Sequence, residues 1–426
     1  MSMLFSIGEV KMGAVAGLSR GELARVRGQL EEFAGEVFGS MRRKDQRRWG
    51  EVYLRGLMLD GKRKSIEPMA ARLPDGDEQC LQQFVNQSPW DWRPVRRALA
   101  IRMSAEIEPE AWIVDDTGFP KFGKMSVGVA RQYSGALGKV GNCQLGVSIN
   151  AASERASCPL DWRLFIPEEW DEDSESNLKR REKAKLPQDE HHVEKWRQAL
   201  GMIDELIGWQ VEPGVILGDG AYGDVTEFRE ELEKRELPYV LDVKGVTSAY
   251  SEQVQPERPE RKGAGRPPKP RYREAPSSLR QLALAAGKQT AQIVTWREGT
   301  RGSMTSRFLA LRVRPANIQL RNNANRNGEE LEVNWLLCEW PDGKDEPSKY
   351  WLSSLPPDTP IKTLVKLAKL RWRIEHDYRE LKDALGLDHF EGRTYRGWHH
   401  HVTLVSIAHA FLTLERTRRP PARAAA

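Results

Sequence analysis

The chain has 426 residues, 39% of them hydrophobic and 30% charged, with a formal net charge of +5. That length allows two or three domains and a substantial core. No apolar run approaches a membrane span, and the N-terminal MSMLFSIGEV has no basic start followed by an apolar core, so a cytoplasmic protein without a membrane partner is expected. The four cysteines, Cys80, Cys143, Cys158 and Cys338, show no CxxC spacing and indicate neither a zinc ribbon nor a disulfide framework. Basic residues cluster at Arg42-Arg43-Lys44, Arg47-Arg48, Arg96-Arg97, Lys262 to Arg273 and Arg416 to Arg419. Together with fourteen tryptophans they suit a nucleic-acid partner, although charge clusters are also ordinary solvated faces.

In chain order, Arg20 to Met103 reads as mostly helical. Leu23, Val26, Leu30, Phe33 and Val37 recur at three- and four-residue steps. Further helices are expected over Lys44 to Leu59, Ile66 to Arg72, Gln79 to Val85 and from Trp92 to Met103. The segments KRKSIEPMAARL and CLQQFVNQSPW have the proportions of a helix-turn-helix, or equally of a plain helical packing module. The first 105 residues are read as a helical DNA-binding domain.

From Ala111 the pattern changes. Trp112-Ile113-Val114 is a short apolar strand ending on Asp115-Asp116-Thr117-Gly118, and two more strands are expected over Asn142 to Ala151 and Ala156 to Phe165. A helix over His191 to Ile207 leads to the strand Val215-Ile216-Leu217, which runs into Gly218-Asp219-Gly220. A helix over Val225 to Arg235 and a strand over Tyr239 to Val243 follow. This order predicts an α/β (α+β) fold, a mixed sheet with flanking helices and acidic turns at its carboxyl edge, over residues 106–245.

Gly245 to Tyr272 is rich in proline, glycine and basic residues and reads as a flexible loop. Its Gly265-Arg266-Pro267 core is similar to a minor-groove AT-hook; a basic linker is the alternative. Strands are expected over Gln292 to Trp296, Arg307 to Val313, Glu332 to Glu339 and Lys349 to Leu352, the last two as a hairpin, which makes residues 246–355 a β-rich insertion. Residues 356–415 return to the core with helices, and 416–426 form a disordered tail.

The stretch LAKLRWRIEHDYRELKDALGL, Leu367 to Leu387, has the spacing of one amphipathic helix, with Leu367, Ile374, Tyr378, Leu381 and Leu385 as its apolar stripe. At roughly 100° per residue, Arg371, Glu375 and Lys382 fall within about 40° of one another along its edge. An edge salt bridge between Arg371 and Glu375 is the plain reading of that pair. Three acids on separated elements, Asp116, Asp219 and Glu375, can converge. Clustered carboxylates repel and raise one another's pKa, and a pair of hard divalent cations, Mg²⁺ or Mn²⁺, removes that cost. Two such ions suit phosphodiester chemistry. The run His399-His400-His401 is read as surface or DNA-facing, with metal binding as the alternative.

The segments VDDTGFPKFGKMSVGVARQYSG, VILGDGAYGD and LRWRIEHDYRELKDALGLDHFEGR, in that order and with an insertion between the last two, resemble the DDE transposases of bacterial insertion sequences. Within them the likeness is to the insertion-sequence 701 type, related to the hairpin-forming group with a β-rich insertion. The resemblance covers roughly Trp112 to Leu414. It implies an RNase H-like core and assigns Asp116, Asp219 and Glu375 as catalytic metal ligands for two Mg²⁺ or Mn²⁺ ions, with Asp115 as the fallback for Asp116. In the related group's signature of Tyr, Arg, Glu and Lys, the positions of Arg371, Glu375 and Lys382 match and the Tyr position is Ala368. The resemblance makes Arg371 and Lys382 phosphate ligands. It makes Trp351 a candidate for stacking on a base flipped from the DNA end, the other reading being that Trp351 is core; Arg266 completes the DNA-binding set. It further implies cleavage and strand transfer of an element's ends through hairpins, double-stranded end and target DNA as partners, a homodimer in the synaptic complex, and a place on the bacterial nucleoid. The alternatives are a transposase-derived DNA-binding regulator and a structure-specific nuclease without strand transfer.

Overall fold

The computed structural model describes residues 20–135, 138–260, 267–299 and 302–418. The chain divides into two compact units, residues 1–213 with 372–426, and residues 214–371.

The first unit opens with five helices: α1 (Arg20–Val37), α2 (Lys44–Met58), α3 (Ile66–Arg72), α4 (Glu78–Asn86) and α5 (Trp92–Ile107). Two of their starts are set by short acids. Asp77 accepts from the Cys80 backbone N–H at 2.7 Å and Asp91 from that of Arg93 at 2.9 Å. Four strands follow: β1 (Ala111–Pro120), β2 (Ala130–Ser134), β3 (Lys139–Ala152) and β4 (Ser157–Leu164). The long β3 is the organiser. Its one edge pairs antiparallel with β1 from Ala111↔Ala152 to Pro120↔Cys143, and its other edge is shared by β2 and β4. Because β3 offers partners along its whole length, β1 does not end at Asp115 as the apolar run suggested. It continues through both acids to Pro120, with Asp116 opposite Val147. Helices α6 (Glu175–Ala184) and α7 (Lys195–Gly208) complete this stretch.

The second unit contains β5 (Val215–Gly218), the one-turn α8 (Gly220–Gly223), α9 (Thr226–Lys234), β6 (Tyr239–Val243), β7 (Ser248–Ser251), β8 (Ser277–Ser278), α10 (Leu279–Ala286), β9 (Gln292–Gly299), β10 (Gly302–Pro315), α11 (Ile318–Asn327), β11 (Asn334–Glu339), β12 (Lys349–Ser353) and α12 (Ile361–Leu370). β5 and β6 are parallel, and β12, β11, β10 and β7 extend the same sheet antiparallel beyond β6. The strands expected as an insertion therefore continue the sheet of β5 and β6. β11 and β12 form the expected hairpin.

The Gly245 to Tyr272 stretch is anchored at both ends instead of being a loop throughout. Tyr250 on β7 and Tyr272 stack with ring centroids 4.9 Å apart in a small core with Ala316, Ala324 and Leu331. Glu257 and Arg271 form an isolated antiparallel bridge. Two aromatic rings that bury together tie down the described ends of a segment whose composition reads as unstructured; residues 261–266 lie outside the described residues.

The chain returns to the first unit as α13 (Trp372–Asp383) and α14 (Tyr395–Arg418). The expected single helix from Leu367 to Leu387 is thus interrupted: α12 ends at Leu370 and α13 begins at Trp372, with Arg371 in a turn between them. Its apolar stripe is nonetheless buried at Leu367, Ile374, Tyr378, Leu381 and Leu385. α14 is buried on every side from Trp398 to Glu415 and packs against α2, α4, α5 and β4. It is the core of its unit. No helix among the described residues is long and apolar enough to cross a membrane.

Candidate active site

Asp116 sits near the middle of β1, where alternate side chains leave opposite faces of the sheet. Its neighbour Asp115 therefore points the other way, and its Oδ1 accepts from the Asp116 backbone N–H at 2.8 Å. The Asp116 carboxylate, whose side chain is 18% exposed, has a counter-charge. Lys195 Nζ, from the first residue of α7, lies 2.7 Å from its Oδ2. Two residues further along β1, the Gly118 carbonyl accepts from Lys382 Nζ at 2.9 Å. Burial lowers the Lys382 pKa from its ordinary value. The thiol of Cys143 on β3 feels Lys195, Asp116 and Lys382 together, and burial pushes it up. One acid and two ammonium groups thus share one neighbourhood of the first unit.

Glu375 is carried by α13 in the same unit. The helix is pinned to the sheet through its buried side: Tyr378 Oη and Ser148 Oγ are 2.8 Å apart, and Ser157 Oγ donates to Asp377 Oδ1 at 2.9 Å. Ile374 and Leu381 are fully buried on that side, and Glu375 is exposed.

Asp219 belongs to the second unit. It follows β5 directly and caps α8, accepting from the Ala221 backbone N–H at 2.9 Å. The turn is held close against β6: a Cβ added to Gly223 would lie 1.8 Å from the Asp242 carbonyl oxygen, so only glycine fits there. The parallel register Gly218↔Leu241 sets Asp219 and Asp242 one residue beyond the last paired positions of neighbouring strands. Burial raises the Asp242 pKa, opposed first by Arg371 and then by Lys349, while Asp219 raises it further. Asp242 is the acid that sequence reasoning passed over. Its signal was present, since LPYVLDVKG places an acid inside an otherwise apolar strand.

The remaining expected residues are placed as follows. Arg371 is half-buried at the turn between α12 and α13 and acts on Asp242. Trp351 is not presented to solvent. It is 4% exposed on β12, paired with Leu337 and Asp242 across both strand edges, and the Lys369 ammonium lies 5.6 Å from its ring centroid. Strand pairing on both sides puts that ring in the core, where it cannot receive a base. Arg266 lies outside the described residues. The run His399-His400-His401 is not surface; all three are buried, because every face of α14 meets protein. The His399 ring stacks on Trp92 at 4.5 Å and that of His400 on Trp90 at 3.7 Å. His401 lies between Tyr53 Oη and the Gly386 carbonyl, each at 3.0 Å.

Among the described residues, no group of three or more His, Cys, Asp or Glu side chains is gathered for a metal ion. Asp116, Asp219 and Glu375 each offer carboxylate oxygens, the donor type a hard cation takes, and the Asp116 carboxylate is ion-paired with Lys195.

Residues 36–303, more than half of the chain, match the family described as DDE superfamily endonuclease. The chain belongs to this family. The mixed α/β architecture is accordingly the RNase H-like DDE fold, and the long β1 with its internal acid is part of it. This DDE endonuclease chain is also 25% identical over 193 residues to "Probable transposase for insertion sequence element IS701" of Microchaete diplosiphon. That similarity covers 44% of this chain and 47% of the relative, so the chain spans about half the length of the curated protein it matches.

Proposed function

We propose that this DDE endonuclease is a transposase that cuts the ends of an insertion sequence with divalent metal ions and joins them to target DNA. What supports this most is the family match over residues 36–303, with Asp116 within a strand of the sheet and Glu375 on the exposed side of a helix that is itself hydrogen-bonded to that sheet. Asp219, capping the turn after β5, is the third. These three carboxylates would hold Mg²⁺ or Mn²⁺ ions, two in number. Bound there, such ions would supply activation of a water or 3′-hydroxyl and charge stabilisation at the leaving oxygen of a phosphodiester. The protein's own part is positioning. β1 and α13 fix the direction of two carboxylates, Lys195 keeps Asp116 oriented in the absence of metal, and Arg371 and Lys382 bring positive charge beside the acids to receive phosphate. Double-stranded end and target DNA are the substrates, α3 and α4 contribute to end binding, and a homodimer pairs the ends. The match to a protein whose name reads transposase supports strand transfer over bare cleavage.

Asp219→Asn should reduce Mg²⁺-dependent cleavage of element ends to background while end binding in a gel-shift assay stays at the wild-type level. A variant that still cuts would show that the second acid is misassigned. Incubating the wild type with end DNA and a target plasmid separates the two nuclease-type activities: joined products are expected, and cut ends without joining would mark a nuclease.

A further inference from the structure

The most exposed large apolar side chain among the described residues is Phe122, at 107% relative exposure. It sits four residues after Thr117's neighbour Gly118, at the tip of the turn that leaves the Asp116 strand. This turn is braced, not loose. The Lys121 N–H donates to the Asn142 carbonyl at 3.0 Å, and Asn142 Nδ2 returns hydrogen bonds to the Lys121 carbonyl at 2.7 Å and the Gly123 carbonyl at 2.8 Å. Gly123 takes the left-handed conformation at φ +81° that closes the turn. On the far side, Arg180 Nε donates to the Lys124 carbonyl at 2.9 Å while its guanidinium lies over the Trp170 ring at 3.8 Å. Lys121 Nζ is tied to the Phe390 carbonyl. Five hydrogen bonds therefore hold up a phenyl ring that touches no core.

The neighbouring β2–β3 hairpin continues this surface. In its antiparallel register Arg131 faces Asn142 and Tyr133 faces Val140, so these four side chains share one face, the face whose Asn142 braces the Phe122 turn. Tyr133 is 63% and Val140 53% exposed. Between Asp116 and Glu154 the chain has no acidic residue but four basic ones, Lys121, Lys124, Arg131 and Lys139, of which the last three are exposed. Exposed aromatic rings set in a segment whose own charges are all basic match unpaired nucleic acid, with bases stacking on rings and phosphates meeting ammonium and guanidinium groups. An acid across the fold, Glu169, is neutralised by Arg180 at 3.2 Å. A second protein copy would meet like charge on a surface of this composition.

We propose that Phe122 stacks on an unpaired base of the DNA strand, with Tyr133 beside it and Lys124, Arg131 and Lys139 on the flanking phosphates. This rests on the transposase reading and gives it the exposed aromatic that Trp351, buried in β12, cannot be.

The test uses the full chain and two fluorescently labelled DNA probes of the same sequence, one fully paired and one with an unpaired end carrying a fluorescent adenine analogue. The wild type should bind the unpaired end more tightly and quench the analogue. Phe122→Ala should weaken binding to the unpaired end by about tenfold and abolish quenching, leave the fully paired probe unaffected and keep the wild-type melting temperature, with Phe122→Trp restoring both signals. Arg131→Gln should flatten the salt dependence of binding by ~0.7 of an ion on single-stranded DNA. Undiminished binding and quenching by Phe122→Ala would overturn the stacking while leaving the transposase reading intact. A change of oligomeric state on Phe122→Ala, without change in DNA binding, would assign the surface to a second copy and overturn it equally. A wild type that binds neither probe would overturn the DNA reading itself.

Discussion

Buried charge in this molecule is used in two different ways, and Arg96 and Asp116 show the difference. Arg96 is fully buried on α5. Its guanidinium reaches Asp161 Oδ1 at 2.9 Å, Thr403 Oγ1 at 2.7 Å and the Trp162 carbonyl at 2.6 Å, which joins the N-terminal helices to β4 and α14. Burial lowers its pKa, with Asp161 opposing. Removing Arg96 leaves Asp161 buried with Arg163, 3.2 Å from its Oδ2, as its counter-charge, so Arg96→Met should cost about 3 kcal/mol in urea unfolding, the low end for breaking a buried pair. The exposed pair of Arg27 and Glu31 at 2.9 Å is the contrast, and Arg27→Gln should change stability by less than about 0.5 kcal/mol. Equal losses in the two variants would contradict this division. The Asp116 and Lys195 pair, only partly buried, leaves the carboxylate reachable from solvent. Asp116, Asp219 and Glu375 stand out in the sequence because each interrupts or follows an apolar strand or stripe. Asp242 shows the same local signal but was missed because its nearness to the turn at Asp219 comes from the pairing of β5 with β6, and pairing between strands has no spacing in the chain. Trp351 was ambiguous for a related reason: β12 pairs on one edge with β11, its neighbour in the hairpin, but on the other with β6, more than a hundred residues earlier.

Among the elements, α14 carries the strongest consequence for pH. Burial pushes His400 and His401 down to about 3 and His399 well below its usual value. In the unfolded chain each titrates near 6.5. Between those values the unfolded state binds protons that the folded state does not, so stability is fully present above about pH 6.5 and is lost as pH falls. Each of His400 and His401 contributes a loss of about 2 kcal/mol by about pH 5. His401→Gln should flatten the dependence of unfolding free energy on pH between about pH 5 and pH 7, although its neutral pH stability is lower. An unchanged slope in chemical denaturation would show that His401 is not the group held neutral. Helices were expected over residues 356–415, but the burial of three consecutive histidines was not, since an amphipathic pattern assumes one wet face. The break at Arg371 was invisible for a similar reason. The residue keeps helical backbone angles, φ −56° and ψ −23°, and nothing in the local sequence forbids continuation.

For the whole molecule, the chain order of strands and helices was largely readable, because apolar alternation and helical spacing are local properties. The two-unit division was not. Residues 372–418 join the first unit across a long stretch of intervening sequence, and the strands expected as a β-rich insertion extend the sheet begun by β5 and β6. The proposed chemistry depends on Asp116, Asp219 and Glu375 each acting as a metal ligand. The most direct measurement replaces Mg²⁺ with Fe²⁺ in the full chain bound to end DNA and generates hydroxyl radicals at the metal, which cut the polypeptide near its ligands. The account predicts backbone cleavage around Asp116, Asp219 and Glu375 together, suppressed by excess Mg²⁺ and lost at all three places in Asp219→Asn. Cleavage confined to one of the three, or indifferent to Mg²⁺, would contradict it.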